Sequence, residues 1–585
     1  MRRASIAAAL LLAAALPAAS QTKPPEWVAR SNEDAKILLN VLVRFGPEGA
    51  SRLGVEGHDA EVTALPPDIN QRTEAALRDA VKQLQAKLAT ETDPAVRQDL
   101  HILIDSANQN IEGIRLGAKY QLPYFDIPQT IFQGIRALLD ERVAPERRPA
   151  ALVRLRKYTG MEPGTTPLTA QAMAYTRAHM SDQGLTGPFK DNLEKDMGNS
   201  ARYVTGVEQL FREFKIAGAE APLAELKKQI ADYENFLRTE VAPRTTPDFR
   251  LPEELYRFQL RQSGVDMPVE ELISRAKTAF REIQNEMNTL APMVAKEKGI
   301  QATDYQSVIR ALKKEQFKGD EILPRYEARI KQIESIIRDQ HIISLPARQM
   351  QFRLASEAET AAVPAPHMNP PRLIGNSGER GQFVLPLRVP DEKGKGSVGF
   401  DDFTFDAASW TLTAHEGRPG HELQFSAMVE NGVSQARVLF ALNSVNVEGW
   451  ALYAEAEMKP YEPLDGQLIA LQHRLLRAAR AFLDPSLQLG RMTREQAYYV
   501  LEQQVVDSPA MARQEVERYT FWAPGQAPSY FVGYSRLMEL RSDVERTLGE
   551  KFNRQRFHDF LLAQGAVPPA LLREAVMNEF VKSQS

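Results

Sequence analysis

The sequence predicts a mainly α-helical protein with one small β element immediately ahead of the segment that carries its chemistry. Three observations predict it. Long stretches place apolar residues at three- and four-residue spacings, the period of a helix with one buried stripe. Pro-containing breaks separate many of those stretches. A single passage, residues 345–405, turns Pro-rich and then strand-like. Of the 585 residues, 43% are hydrophobic and 25% charged, an ordinary globular balance with enough apolar material for a large core. Collagenous, disordered and coiled-coil classes are excluded. The formal net charge of −4 offers no basic face of the kind nucleic-acid binding needs, so no nucleic-acid partner is expected.

Residues 1–20 stand apart from the rest. Arg2 and Arg3 precede an apolar run over residues 6–16, which ends in Pro17-Ala18-Ala19-Ser20. A basic start, a short apolar core and a small-residue exit describe a secretory signal peptide. The run is too short to cross a bilayer of about 30 Å as a helix. No later stretch approaches about 18 uninterrupted apolar residues, so no membrane span is expected after signal removal, and the location expected is periplasmic or secreted. The chain has no Cys, which rules out disulfides, thiol catalysis and a lipid-modified cysteine.

The helical period is clearest over residues 70–88, 94–116, 223–241, 269–291 and 325–338. Pro66-Pro67, Pro123, Pro128, Pro163, Pro167, Pro243, Pro247 and Pro252 fall between or beside such stretches. A soft boundary near residue 250 divides an N-terminal helical region, 21–250, from a second helical region, 251–585, with a cleft expected between them. Pro346, Pro364, Pro366, Pro370 and Pro371 then make a rigid passage. Residues 381–387 and 396–400 read as two strands, and the polar, Gly-containing residues 391–395 read as their hairpin loop. This unit feeds a helix starting near Ala407, and from Ala408 onward the reading is helical again.

The ingredients of a metal site lie between residues 413 and 455. They are His415-Glu416-Gly417-Arg418-Pro419-Gly420-His421-Glu422-Leu423-Gln424 and Glu448-Gly449-Trp450-Ala451-Leu452-Tyr453-Ala454-Glu455. Only nine His occur in the chain, and two of them lie six residues apart here, each followed by Glu. In His-Glu-x-x-His zinc peptidases an i,i+4 pair puts both imidazoles on one helix face, and the Glu between them activates the bound water. On an unbroken helix six residues turn about 600°, which leaves His415 and His421 about 120° apart. Pro419, in the place of the normal second His, cannot donate to the carbonyl of His415, and Gly420 lifts the backbone restriction. Pro-Gly therefore fits a helix interrupted by two extra residues, which would bring His421 round to the i+4 position.

A catalytic zinc usually takes three protein ligands, and Glu448 is the candidate third. Glu455 lies about two turns further on the same helix face, placed to orient a ligand imidazole or merely exposed. A later segment, Arg513 to Arg541, contains Glu515-Val516-Glu517-Arg518-Tyr519, Pro524-Gly525-Gln526 and Tyr530-Phe531-Val532-Gly533-Tyr534. Tyr530 and Tyr534 are one helical turn apart. Their hydroxyls are candidate donors to an oxyanion, although two aromatics at that spacing also describe a packed core. Arg518 and Gln526 are candidates for supporting or substrate contacts.

Three blocks, 415–424, 448–455 and 524–533, together resemble the bacterial "domain of unknown function 885" family, in its order and spacing. Weaker likeness runs from Leu53-Gly54 through residues 251–256. The resemblance implies a predominantly helical fold like that of gluzincin metallopeptidases, which carry two His and one Glu on zinc. It also implies a secreted or periplasmic metallopeptidase. Gly417 departs from the Ala most often expected there, on what would be a helix tolerant of the change.

These readings give a zinc-dependent hydrolase, first of all a metallopeptidase, with one Zn²⁺ per chain on His415, His421 and Glu448. Glu416 is the base, and Tyr530 or Tyr534 is the oxyanion donor. The substrate is a peptide or small amide. Glu422 follows His421 as Glu416 follows His415, and is the second candidate for the base. The alternatives are a zinc amidase acting on a non-peptide or cell-wall amide, and a catalytically inactive periplasmic binding protein. Retention of both His, Glu416 and Glu448 argues against the latter.

Overall fold

The computed structural model describes residues 25–391 and 396–584. The expected signal peptide and residues 392–395 of the expected hairpin loop lie outside the described residues. Helices dominate. Glu26–Phe45, Ile69–Leu88 and Pro94–Tyr120 pack together because each carries an apolar stripe: Ala35 and Leu38, Leu77 and Leu84, Leu100 and Leu103 share one buried cluster. The third of these helices begins where Asp93 accepts from the N–H groups of Ala95 and Val96, with Pro94 in the first turn, a place where proline forfeits no helical hydrogen bond. Ile127–Arg136, Lys190–Glu213 and Glu220–Phe236 enclose a second cluster that includes Phe132, Tyr203 and Tyr233.

Beyond residue 250 the longest helix, Val269–Lys298, runs past Pro292, where the periodicity suggests a stop. Proline removes one intrahelical donor, but Ala291, Val294 and Ala295 are buried, and that packing outweighs a single lost bond. This helix lies along Leu464–Gln488, which is buried almost without interruption from Leu468 to Gln488. Around this central helix pack Asp406–Glu416 and Ser529–Leu548.

The β element differs from the expected single hairpin. β1 (Gln351–Leu354), β2 (His367–Asn369) and β3 (Gln382–Leu385) form a sheet in the order β1-β3-β2, with β1 parallel and β2 antiparallel to β3. The hairpin is made instead by β4 (Arg388–Pro390) and β5 (Ser397–Gly399), with Val389 opposite Val398. Residues 381–387 thus belong to a sheet closed by sequence-distant strands. Phe383, Val384 and Leu385 are all buried there, as strands covered on both faces are.

A groove of about 1290 Å³ joins the two regions, lined by Tyr124, Tyr175 and Phe189 on one side and Leu251, Phe521 and Trp522 on the other. His415, His421 and Glu448 are not among its lining residues. Among the described residues no helix is long and apolar enough to cross a membrane.

Candidate metal centre

The helix Asp406–Glu416 stops and resumes as His421–Glu430. Across the gap, the N–H of Gly420 donates to Ala414 O at 2.9 Å and the N–H of Leu423 to Gly417 O at 3.3 Å. Each bond spans six residues where an α-helix spans four, so two residues are looped out and the ladder closes around them. The His415 and His421 rings consequently meet, with centroids 4.8 Å apart. Gly420 is sterically required, since a Cβ there would lie 2.0 Å from His415 O. Gly417 is not on a tolerant helix after all. It ends the first segment at ψ −112°, and a Cβ there would lie 2.6 Å from Thr413 O. The loop is tied down from the next helix by Trp450, whose Nε1–H donates to Pro419 O at 2.9 Å.

That next helix, Ser444–Met458, starts at Asn443, whose side chain accepts from the N–H of Asn446. It crosses Ser529–Leu548 backbone to backbone. A Cβ on Gly449 would sit 2.5 Å from Gly533 Cα, and one on Gly533 would sit 2.0 Å from Val445 O. Two glycines therefore let the helix bearing Glu448 and the helix bearing Tyr530 close on the same point.

Glu448 Oε2 lies 3.2 Å from His421 Nε2 and 3.6 Å from His415 Nε2. One ligand atom from each of the three residues falls within 4.8 Å of the others. Four ligands at about 2.0–2.1 Å from a tetrahedral zinc stand roughly 3.3 Å apart, so the nitrogen-to-carboxylate spacings suit that ion. Glu455 Oε1 is 2.6 Å from His415 Nδ1, and its Oε2 accepts from the Thr411 hydroxyl at 2.8 Å. With Nδ1–H directed at a carboxylate, the Nε2 lone pair of His415 faces the cluster, the arrangement by which a supporting carboxylate orients a ligand imidazole.

The acids around the cluster are set apart electrostatically. Burial, with Glu448 nearby, pushes the Glu416 carboxyl up to about 8 against the pull of His421 and Arg477. Burial acts the same way on Glu455, but Arg477 and His415 outweigh it and hold the group at about 2. Glu448, half-buried with its side chain 17% exposed, is also pushed up by burial, yet its hydrogen bonds with the two imidazoles keep it well below the usual carboxylate range. Glu416 Oε1 stands 3.9 Å from His415 Nε2. Glu422 is engaged elsewhere, accepting from Arg418 Nε and Ser426 Oγ at 2.7 Å each. Of the two motif acids, only Glu416 stands at the cluster.

The two tyrosines part company. The Tyr530 ring stacks over that of His415, with centroids 6.2 Å apart at 12°, and its oxygen accepts from Arg518 Nη2 at 3.0 Å. Tyr534 packs instead on the apolar cluster containing Leu537 and Leu540, under the Arg474 guanidinium. Arg518 Nε donates to Gln526 Oε1 at 2.9 Å, and Gln526 Nε2 donates to Ser444 Oγ at 2.7 Å.

Sequence reasoning missed Thr411, Arg477 and Arg480, and gave Glu515 no role. Arg480 donates to both oxygens of Glu515, at 2.7 and 2.6 Å, and lies 4.4 Å from the Tyr530 ring centre. The available signal was the three-residue spacing of Arg474, Arg477 and Arg480, which places them near one helix face. Without knowledge of burial it reads as a solvated basic stripe.

Fold and site together define a large, mainly helical protein with a buried His–His–Glu cluster. Residues 47–576 match the family described as bacterial protein of unknown function (DUF885), and the chain belongs to that family. The "putative lipoprotein" from Colwellia psychrerythraea has a similar structure, with TM-score 0.73 and 18% identity over 94% of this chain and 99% of that one. A "putative lipoprotein of unknown function" from Shewanella oneidensis gives TM-score 0.66 and 19% identity over 94% of this chain and 100% of that one. No curated protein sequence matches the chain.

Proposed function

We propose that this protein is a gluzincin-like zinc metallopeptidase acting outside the cytoplasm. The observation that carries the reading is the convergence of His415 Nε2, His421 Nε2 and a Glu448 oxygen, with Glu416 alongside and Glu455 behind His415. A zinc ion held by His415, His421 and Glu448 would supply Lewis-acid polarisation of a water and a substrate carbonyl. Glu416 takes the proton from the attacking water and delivers it to the departing amine. Glu455 fixes the tautomer of His415. Tyr530 presents its hydroxyl proton to the oxygen on which negative charge develops. Because Arg518 donates into the phenol oxygen, that proton stays free and the phenol becomes a stronger donor, as in any polarised hydrogen-bond chain.

Chelation followed by zinc return tests the reading on a mixed peptide library. Hydrolysis is expected to vanish and come back. Zinc-loaded protein that leaves peptides intact but opens other amides would make it an amidase. Zinc-loaded protein that opens neither would make it a binding protein.

Tyr530 and Tyr534 differ in contacts and should differ in effect. Loss of one oxyanion donor costs about 10²–10³ in kcat, and Tyr530→Phe is expected to show that loss while Tyr534→Phe stays near wild type. Equal rates in the two variants would remove Tyr530 from the chemistry. The N-terminal pattern Arg2-Arg3, apolar run and Ala18-Ala19-Ser20 supports export, and the mature protein is expected to begin near Gln21 in a periplasmic fraction. Intact Met1 on cytosolic protein from the native host would contradict that.

A further inference from the structure

Behind the metal centre lies a second cavity, of about 850 Å³, within the range of sites that hold small molecules. His415, Glu416, His421 and Glu448 do not line it, but the back faces of the elements that converge on them do. Gln424 stands three residues after His421, Asn446 two before Glu448, and Gly533 three after Tyr530. Trp450, which ties down the loop between the histidines, belongs to the same wall. Hydrocarbon from Leu537, Leu540, Leu561, Leu562 and Leu572 makes up much of the rest, all in one buried cluster with Trp450.

Polar groups mark the two ends. At the Gly533 end, Gln424 Nε2 donates to Asn446 Oδ1 at 3.0 Å, and Asn446 Nδ2 donates to Val567 O at 2.8 Å. That chain fixes the orientation of both amides. It leaves Gln424 Oε1 buried with no hydrogen-bond partner among the described residues. A buried acceptor in that state is costly, and an N–H from an occupant would satisfy it. At the other end Arg546 and Arg573 share the carboxylate of Asp543, and among the described residues they pair with no other. Nearer Gly533 no cation is left over. Arg536 lies between Asp266 and Glu539, at 3.2 and 3.3 Å, and Arg275 between Glu539 and Glu271.

Gly533 and Arg546 are thirteen residues apart on the helix Ser529–Leu548, roughly 20 Å along its axis. Five or six residues of extended peptide cover that length at about 3.3–3.6 Å each. Such a peptide brings apolar side chains to the leucines, backbone N–H groups to Gln424 and a terminal carboxylate to the arginine pair. A fatty acid matches the first and last of these and has no donor for Gln424.

We propose that this cavity is an accessory site, separate from the metal cluster, for apolar peptides of about five or six residues with a free C-terminal carboxylate. The proposal stands apart from the peptidase reading, because binding tests it and turnover does not. Calorimetry on zinc-loaded Glu416→Gln, in which the peptides are expected to stay intact, compares three probes: a hexapeptide of alternating Ala and Leu, its C-terminal amide, and dodecanoate. Ala570 and Ser542 line the cavity at exposed positions, so a large side chain there fills it without entering the core. Adding Ala570→Trp or Ser542→Trp is expected to lower the stoichiometry by one peptide per chain, or to weaken that component at least about tenfold. Tenfold is roughly the effect of losing one buried leucine contact. Melting temperature and zinc content should not change.

The same component should prefer the acid to the amide by about three- to fivefold, the scale of exposed ion pairs. Arg546→Gln together with Arg573→Gln should abolish that preference. No peptide bound at all, an unchanged component in both Trp variants, or tighter binding of dodecanoate than of the hexapeptide overturns the site. Equal binding of acid and amide overturns its carboxylate end. A fall from two peptides to one also fits a peptide-binding metal cleft, whereas a fall from one to none places all the binding in the cavity; either supports the proposal.

Discussion

In Glu416→Gln, zinc content and melting temperature are expected to match wild type while hydrolysis falls by about 10²–10⁴, the usual contribution of a positioned acid–base group. The substitution keeps size and shape and removes only the carboxylate that accepts a proton from water. The three candidate ligands are untouched, and glutamine fills the same buried space at the end of the helix Asp406–Glu416. The variant should therefore still bind peptide, which makes it the form to trap with substrate. Wild-type turnover from this variant would remove Glu416 from the mechanism. Glu422 would then be a poor substitute, because Arg418 and Ser426 already occupy its oxygens.

His421→Ala is expected to fail differently, losing metal and activity together. The looped-out pair of residues exists, on this account, to deliver the second imidazole, and alanine leaves His415 and Glu448 as a two-ligand site. Affinity should drop by more than the roughly 10–100-fold typical of losing a supporting contact behind a ligand. Zinc content and hydrolysis measured on one preparation distinguish the two variants. Normal zinc binding by His421→Ala would mean that the break in the helix serves another purpose.

Much of this was legible in the sequence, for identifiable reasons. The amphipathic period and the Pro and Gly breaks marked the helices. Pro419-Gly420 marked an interruption because no regular helix accommodates that pair beside two histidines. Helix ends were less legible: the period suggests an end at Ala291, but buried packing carries the helix past Pro292 to Lys298. The sheet was misread because the partners of β3 lie far away in sequence, at Gln351–Leu354 and His367–Asn369, and local alternation cannot register them. Tyr530 could not be told from Tyr534, since one turn of helix gives both the same pattern, and only the Gly449–Gly533 crossing decides which ring reaches His415. The arginines of Leu464–Gln488 stayed hidden because charge at three-residue spacing normally means solvent, whereas this helix is buried on nearly every side.

On this reading three side chains from three helical segments, Asp406–Glu416, His421–Glu430 and Ser444–Met458, hold one zinc ion. Crystals of the zinc-loaded protein, measured on either side of the zinc absorption edge, test it most directly. The account predicts a single strong anomalous peak per chain, about 2.0–2.2 Å from His415 Nε2, His421 Nε2 and a carboxylate oxygen of Glu448. A map with no peak there, or with its peak on other residues, would contradict it.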